Sequence, residues 1–163
     1  MKRSLVIAFL TAACGGGEPA DVAGDYTIAL TNQDNGCGFA NWTEGNTSTG
    51  VPVVIGQGEG DAADEATATV NGAAGIYLDA VLGARVYTGS VDGSHLDLTL
   101  HGTNSATQAQ CTYTVNSTID ADLDGDVLRG EILYHTSTNG SPDCGTLEGC
   151  ESRQDFNGTR PPT

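Results

Sequence analysis

The sequence predicts an all-β fold: an eight-stranded antiparallel up-and-down barrel with one short helix near residues 73–83, with an open β-sandwich as the alternative. Three observations carry this expectation. Between residues 111 and 123, Cys111, Tyr113, Val115, Ser117, Ile119, Ala121 and Leu123 alternate with Thr112, Thr114, Asn116, Thr118, Asp120 and Asp122. A period of two held this long is an extended strand with one face in oil and one in water. Two Asp-Gly pairs, Asp92-Gly93 and Asp124-Gly125, sit between such runs, and Asp-Gly is a strong hairpin signal. Further strand-like segments at 25–31, 51–57, 64–70 and 153–158 bring the count to eight, at the spacing of a meander.

Between the segments at 51–57 and 64–70 lies "GQGEGDAADE". A phosphate cradle needs a helix N-terminus and little negative charge, whereas Glu59, Asp61, Asp64 and Glu65 supply that charge in excess. This is a solvated hairpin loop. In "AAGIYLDAVLG", Ile76, Tyr77, Ala80 and Val81 recur at helical spacing before Gly83, which suits a C-terminal stop. That segment is expected to cap or plug the sheet. In the next hairpin an Asp92-Gly93 turn sets Tyr87 opposite Leu98, with Leu96 and Leu100 on the same face and His95, Asp97, Thr99 and His101 on the other.

The stretch "DADLDGDVLRGE" fits the calcium-loop pattern D-x-D-x-D-G-x5-E at every specified position. An EF-hand requires flanking helices, which the β-branched residues here oppose, and the alternation runs unbroken into the supposed loop. A hairpin explains more: a turn at Asp124-Gly125 sets Leu123 opposite Asp126, Ala121 opposite Leu128, Ser117 opposite Ile132 and Val115 opposite Tyr134. What remains of the metal reading is a weak, exposed Ca²⁺ on Asp120, Asp122, Asp124 and Asp126, the one cofactor the sequence suggests.

Eight strands leave two open edges unless the sheet closes, and the chain has no lysine beyond Lys2 to guard them. Closure of the first strand on the last is therefore expected. Aligning Tyr26 with Phe156 brings Cys37 toward Cys144 and Cys150, while the long hairpin brings Cys111 near Thr138. Of the three connectivities open to these four cysteines, Cys37 with Cys150 and Cys111 with Cys144 is favoured. Each bridge would contribute roughly 2 to 4 kcal/mol.

The N-terminus has Lys2 and Arg3, an apolar run from Leu5 to Leu10, and small residues leading into Cys14. This is the layout of a secretory signal. "LTAAC" resembles a bacterial lipobox, with Thr11 where that family usually has Leu. The resemblance implies that Cys14 is lipidated, and Gly15 after it implies sorting to the outer membrane. The chain is thus expected to divide into a signal peptide (1–13), a lipidated flexible tether (14–23), the barrel (24–158) and a disordered tail (159–163). The net charge of −15 excludes nucleic acid as a partner, and cleavage would remove two more positive charges.

The repeated G-x-V-x-G-x-x-L-x-L hairpin texture, and Gly24-Asp25-Tyr26 where that family has Gly-x-Trp, make residues 24–158 similar to a lipocalin-like or calycin-like barrel. The resemblance implies a non-enzymatic module binding a small apolar ligand. Tyr26, Tyr87, Leu98, Tyr113 and Tyr134 would then face inward, with Phe39 and Trp42 at the mouth. The rivals are an envelope domain with a filled core that binds another protein, and, more weakly, an envelope hydrolase. His95 and His101, flanking Asp97, stand roughly 20 Å apart along one strand, too far to share an ion. His135 brings no nucleophile with it, and no catalytic residue is assigned.

Overall fold

The computed structural model describes residues 18–162. It contains β1 (Gly24–Asn35), β2 (Thr47–Gln57), β3 (Glu65–Val70), α1 (Gly72–Val81), β4 (Val86–Asp92), β5 (His95–Leu100), β6 (Ser105–Gln108), β7 (Cys111–Asp124), β8 (Val127–Thr138) and β9 (Glu151–Thr159). Eight of the nine strands form a closed antiparallel ring in the order β1-β2-β3-β4-β5-β7-β8-β9, and β6 lies outside it. The ring closes where β1 pairs with β9 and where β5 pairs with Ser117 to Asp122 of β7. On the same edge of β7, nearer its start, β6 pairs with Cys111 to Thr114. The barrel is as expected; β6 is an addition, and the open sandwich is set aside.

The alternation on β7 holds along its length. Cys111, Val115, Ser117, Ile119 and Ala121 are buried, while Asp120, Asp122 and Asp124 are exposed. Inward residues from the other strands, among them Tyr26, Ile28, Tyr87, Leu96, Leu98, Leu100, Ile132 and Phe156, complete one apolar core. Burial of each large side chain contributes about 1.5–3 kcal/mol relative to exposure.

Both hairpins differ from the expected register by two residues. Asp124 pairs with Val127, Leu123 with Leu128, Ile119 with Ile132 and Ser117 with Tyr134. Asp92 pairs with His95, and Leu98 faces Gly89 rather than Tyr87. The central turn residues are therefore Gly93-Ser94 and Gly125-Asp126, not Asp-Gly. Gly93 (φ 59°) and Gly125 (φ 61°) adopt the left-handed conformation while Ser94 and Asp126 do not. This glycine-first pattern suits a II′ turn, whereas a central Asp-Gly I′ turn would force the aspartate into the left-handed region as well. An even slip preserves the faces, so the inward set is unchanged.

At the ring closure Leu30, not Tyr26, faces Phe156, four residues from the expected alignment. Closing a cylinder demands a stagger between strands that a flat alignment of two segments omits. Gly130 marks a tight bend: a Cβ there would lie 2.1 Å from the Asp120 carbonyl oxygen and 2.6 Å from Ala121 Cα.

The helix is present, but a different stripe packs. Ala74, Leu78 and Leu82 lie against the core, whereas Ile76 is 68% and Tyr77 62% exposed. The spacing of four between Ala74, Leu78 and Leu82 serves the core equally well. The segment after β5 anchors the helix end: Leu82 O accepts from the backbone N–H groups of Thr103 (2.7 Å) and Asn104 (3.0 Å), and Asn104 Nδ2 donates to Ala80 O (3.1 Å).

One end of the barrel is shut by the chain's own termini. Ala20 N donates to Gly93 O (2.7 Å), Val22 N donates to Gln57 Oε1 (2.8 Å), and Val22 is fully buried. Arg160 Nη1 donates to Ala23 O (2.6 Å), and its Nε lies 3.1 Å from Asp126 Oδ1. Two expected boundaries are therefore corrected. Residues 20–23 are docked into the fold rather than part of a flexible 14–23 tether, because Val22 has a core to enter. Thr159 and Arg160, expected in a disordered 159–163 tail, are ordered, because Thr159 belongs to β9 and Arg160 is held by Asp126. The expected signal peptide (1–13) and Cys14 lie outside the described residues.

Candidate functional site

The opposite end collects the four longest connections: the β1–β2 loop, α1, the excursion carrying β6, and the β8–β9 loop. Both disulfides lie here. Cys37 bridges Cys150 with Cα atoms 4.9 Å apart, and Cys111 bridges Cys144 at 4.8 Å. They tie two loops to the wall and limit how far the rim can open.

The β1–β2 loop is folded by local capture. Phe39 N donates to Asn35 Oδ1 (2.8 Å), and Asn35 Nδ2 donates back to Phe39 O (3.1 Å). Ser152 Oγ, fully buried, accepts from Cys37 N (3.1 Å). Trp42 Nε1 donates to Gln33 O (2.9 Å), which turns the indole onto the barrel. There it meets the Tyr134 ring edge-to-face at 5.8 Å between centroids, and Phe39 meets Tyr134 at 6.5 Å in the same manner. Edge-to-face pairs set a positive ring edge against a negative face and so fix orientation.

Beneath these rings lies a cavity of about 900 Å³. Its wall includes Ile28, Leu30, Val53, Val115, Ile119, Ile132 and Phe156 from the strands, and Ala74, Leu78 and Leu82 from α1 and its end. At its edge Tyr87 Oη lies 3.1 Å from Ser117 Oγ, both groups being buried. Burial pushes the Tyr87 phenol up to about 12, against a smaller lowering by the Ser117 hydrogen bond. Burial likewise holds Tyr134 well above the ordinary tyrosine range, with the neighbouring Tyr87 and Tyr77 adding to the rise. Higher on the wall a polar chain crosses three strands: Tyr134 Oη donates to Gln154 Oε1 (2.8 Å), and Gln154 Nε2 donates to Asn32 Oδ1 (2.6 Å).

Of the expected ligand-facing residues, Phe39, Trp42, Tyr87, Tyr113 and Tyr134 line this cavity. Tyr26 and Leu98 do not. Both point inward, but into the filled part of the barrel, where Tyr26 Oη donates to Val22 O (3.0 Å) and its ring lies beneath Arg160. Alternation tells inside from outside but not height along the axis. Asn32 and Gln154 were overlooked, although period two from Leu30 and Phe156 places both inward.

The calcium-loop match is strand and turn, without flanking helices. Asp120 and Asp122 flank the His95 ring at 3.9 and 3.3 Å, Asp124 lies 3.8 Å from Arg129, and Asp126 pairs with Arg160. Asp120 and Asp122 thus share His95, while Asp124 and Asp126 serve two arginines, and the four carboxylates have no common centre. Among the described residues no cluster of three or more His, Cys, Asp or Glu side chains could hold a metal ion. His95 and His135 sit on the outer face, His135 beside Glu151 at 3.6 Å.

Compared with known proteins, the chain matches no family model, no curated protein and no solved structure.

Proposed function

We propose that this protein is a non-enzymatic, outer-membrane-tethered lipoprotein that holds a small apolar ligand in its barrel. The observation that carries the reading is the cavity of about 900 Å³, walled by aliphatic and aromatic side chains behind a rim tied by two disulfides. Volumes and linings of this kind are those of small-molecule sites. Among the described residues the ionisable groups in the wall are tyrosines, set in an otherwise aliphatic and neutral lining that suits an apolar ligand. The lipobox-like "LTAAC" supports the tether, with Cys14 as the lipid acceptor.

The test uses the full chain carrying Cys14→Ser, so that no detergent is needed to keep a lipidated protein in solution. Native mass spectrometry is expected to find a co-purifying apolar species, and the neutral dye N-phenyl-1-naphthylamine is expected to fluoresce on entering the cavity. Trp42→Ala should weaken dye uptake by about tenfold, on the order of 1.4 kcal/mol. Repeated absence of both ligand and dye uptake would refute the reading. In fractionation, the same Cys14→Ser change should move the protein from membrane to soluble fractions.

One observation favours a second reading, a domain that binds another envelope protein. Ile76 and Tyr77 on α1 are exposed, as are Val54 and Val86 on the outer wall, where Thr69 lies between them across β2, β3 and β4. Pull-down with Ile76→Asp as control would separate the two: a partner lost with Ile76, and no dye uptake, selects the interaction domain.

A further inference from the structure

The chain has 21 acidic residues, yet among the described residues no Asp, Glu, Lys, Arg or His lines the cavity. Strand alternation has sent Asp120, Asp122, Glu131, Arg153 and Asp155 to the outer face. Among the described residues the four arginines are engaged outside the cavity: Arg129 with Asp124 and Arg153 with Glu131 and Asp34 on the outer face, Arg160 with Asp126 at the closed end, and Arg85 with Asp79 beside α1. None is a counter-ion for a buried anion. An ionised carboxylate entering this cavity would lose its water and find no cation to compensate. The acidic surface adds a repulsive field at longer range. An ammonium group would be drawn toward the acidic surface but would find no carboxylate inside.

Neutral oxygen is better served. Asn32 spends Oδ1 on Gln154, and its Nδ2 has no hydrogen-bond partner among the described residues. Gln154 keeps its second Nε2–H as a donor, and Tyr134, whose O–H is given to Gln154, keeps an acceptor lone pair, so this wall can bond an uncharged oxygen without stranding a charge.

We propose that the cavity selects neutral amphiphiles, an apolar body bearing one uncharged oxygen such as a hydroxyl, ester or ketone, and discriminates against the corresponding fatty carboxylate. The proposal rests on the cavity being a binding site and adds the chemical class of its occupant. Asn32, Gln154 and Tyr134 are the residues that recognise the oxygen.

The experiment is displacement of N-phenyl-1-naphthylamine from the full chain carrying Cys14→Ser at about pH 8, where a carboxylic acid of ordinary pKa is ionised. Dodecanol, dodecanoate and dodecyltrimethylammonium, which share one alkyl chain, are compared. Dodecanol is expected to displace the dye at concentrations at least about tenfold below those of either ion. Gln154→Leu should weaken dodecanol about three- to tenfold more than it changes the dye. If that variant does not fold, the ranking of the three ligands on the unchanged cavity still decides. Dye binding with dodecanoate or the ammonium as tight as dodecanol would overturn the selectivity and leave the binding site standing. Absence of dye and of all three ligands would overturn both.

Discussion

The two ends of the barrel solve opposite problems with the same kind of strand. At the closed end two of the three strand connections are two-residue turns, Gly93-Ser94 and Gly125-Asp126, and the chain's own Val22 fills the gap over Tyr26. Order there comes from packing and from backbone bonds to the terminal segments. At the open end the connections are long, and order comes from two disulfides and from side chains such as Asn35, Ser152 and Asn104 that capture loop backbone. Packing consumes interior volume, whereas cross-links at the rim leave it free. A cavity persists where the second device is used.

The largest effect that would sharpen this contrast is expected from Leu98→Ala, in the filled part. The residue is fully buried, so the truncation should cost about 2–5 kcal/mol in chemical denaturation while dye affinity holds. Next is the paired change Cys37→Ser with Cys150→Ser, which opens a loop of sequence separation 113. It should cost roughly 2–4 kcal/mol and also weaken dye uptake, because the loop carrying Phe39 and Trp42 is released. Equal damage to binding from both variants would break the distinction between the ends.

The smallest of the three effects is on pH dependence. Tyr87 has its folded-state value raised from 10.0 to about 12, so the folded chain holds this proton more tightly than the unfolded one. The resulting stability is present below about pH 10 and is lost as pH climbs toward about 12, by roughly 2 kcal/mol. Denaturation midpoints across that window should fall, and Tyr87→Phe should flatten part of the fall. An unchanged slope in Tyr87→Phe would place the phenol in contact with water rather than in the core.

The barrel could be anticipated because its physics is local and periodic. Cys111 to Leu123 announce their faces residue by residue, and even a two-residue error of register leaves the faces intact. The disulfide pairing followed from topology, although the alignment of Tyr26 with Phe156 was four residues off. What escaped was whatever alternation does not encode. Strand β6, "SATQ", is exposed throughout with Ala106 as its one apolar residue, and it pairs with the edge of β7 that β5 leaves open. The depth of Tyr26 and Leu98 along the axis, and the choice between the Ile76 and Leu78 sides of α1, depend on which neighbours arrive from distant parts of the chain. Asn32 and Gln154 carried a signal that hydrophobicity alone conceals: inward position with polar identity.

The docking of residues 20–23 gives the molecule a pole. Whatever holds the chain ahead of Glu18 pulls on the sealed base, and the opening looks the other way. If Cys14 carries a lipid, the barrel stands on its bilayer like a cup on a table. Its cargo would then be exchanged with the aqueous compartment or with a facing surface, not drawn from the leaflet beneath it.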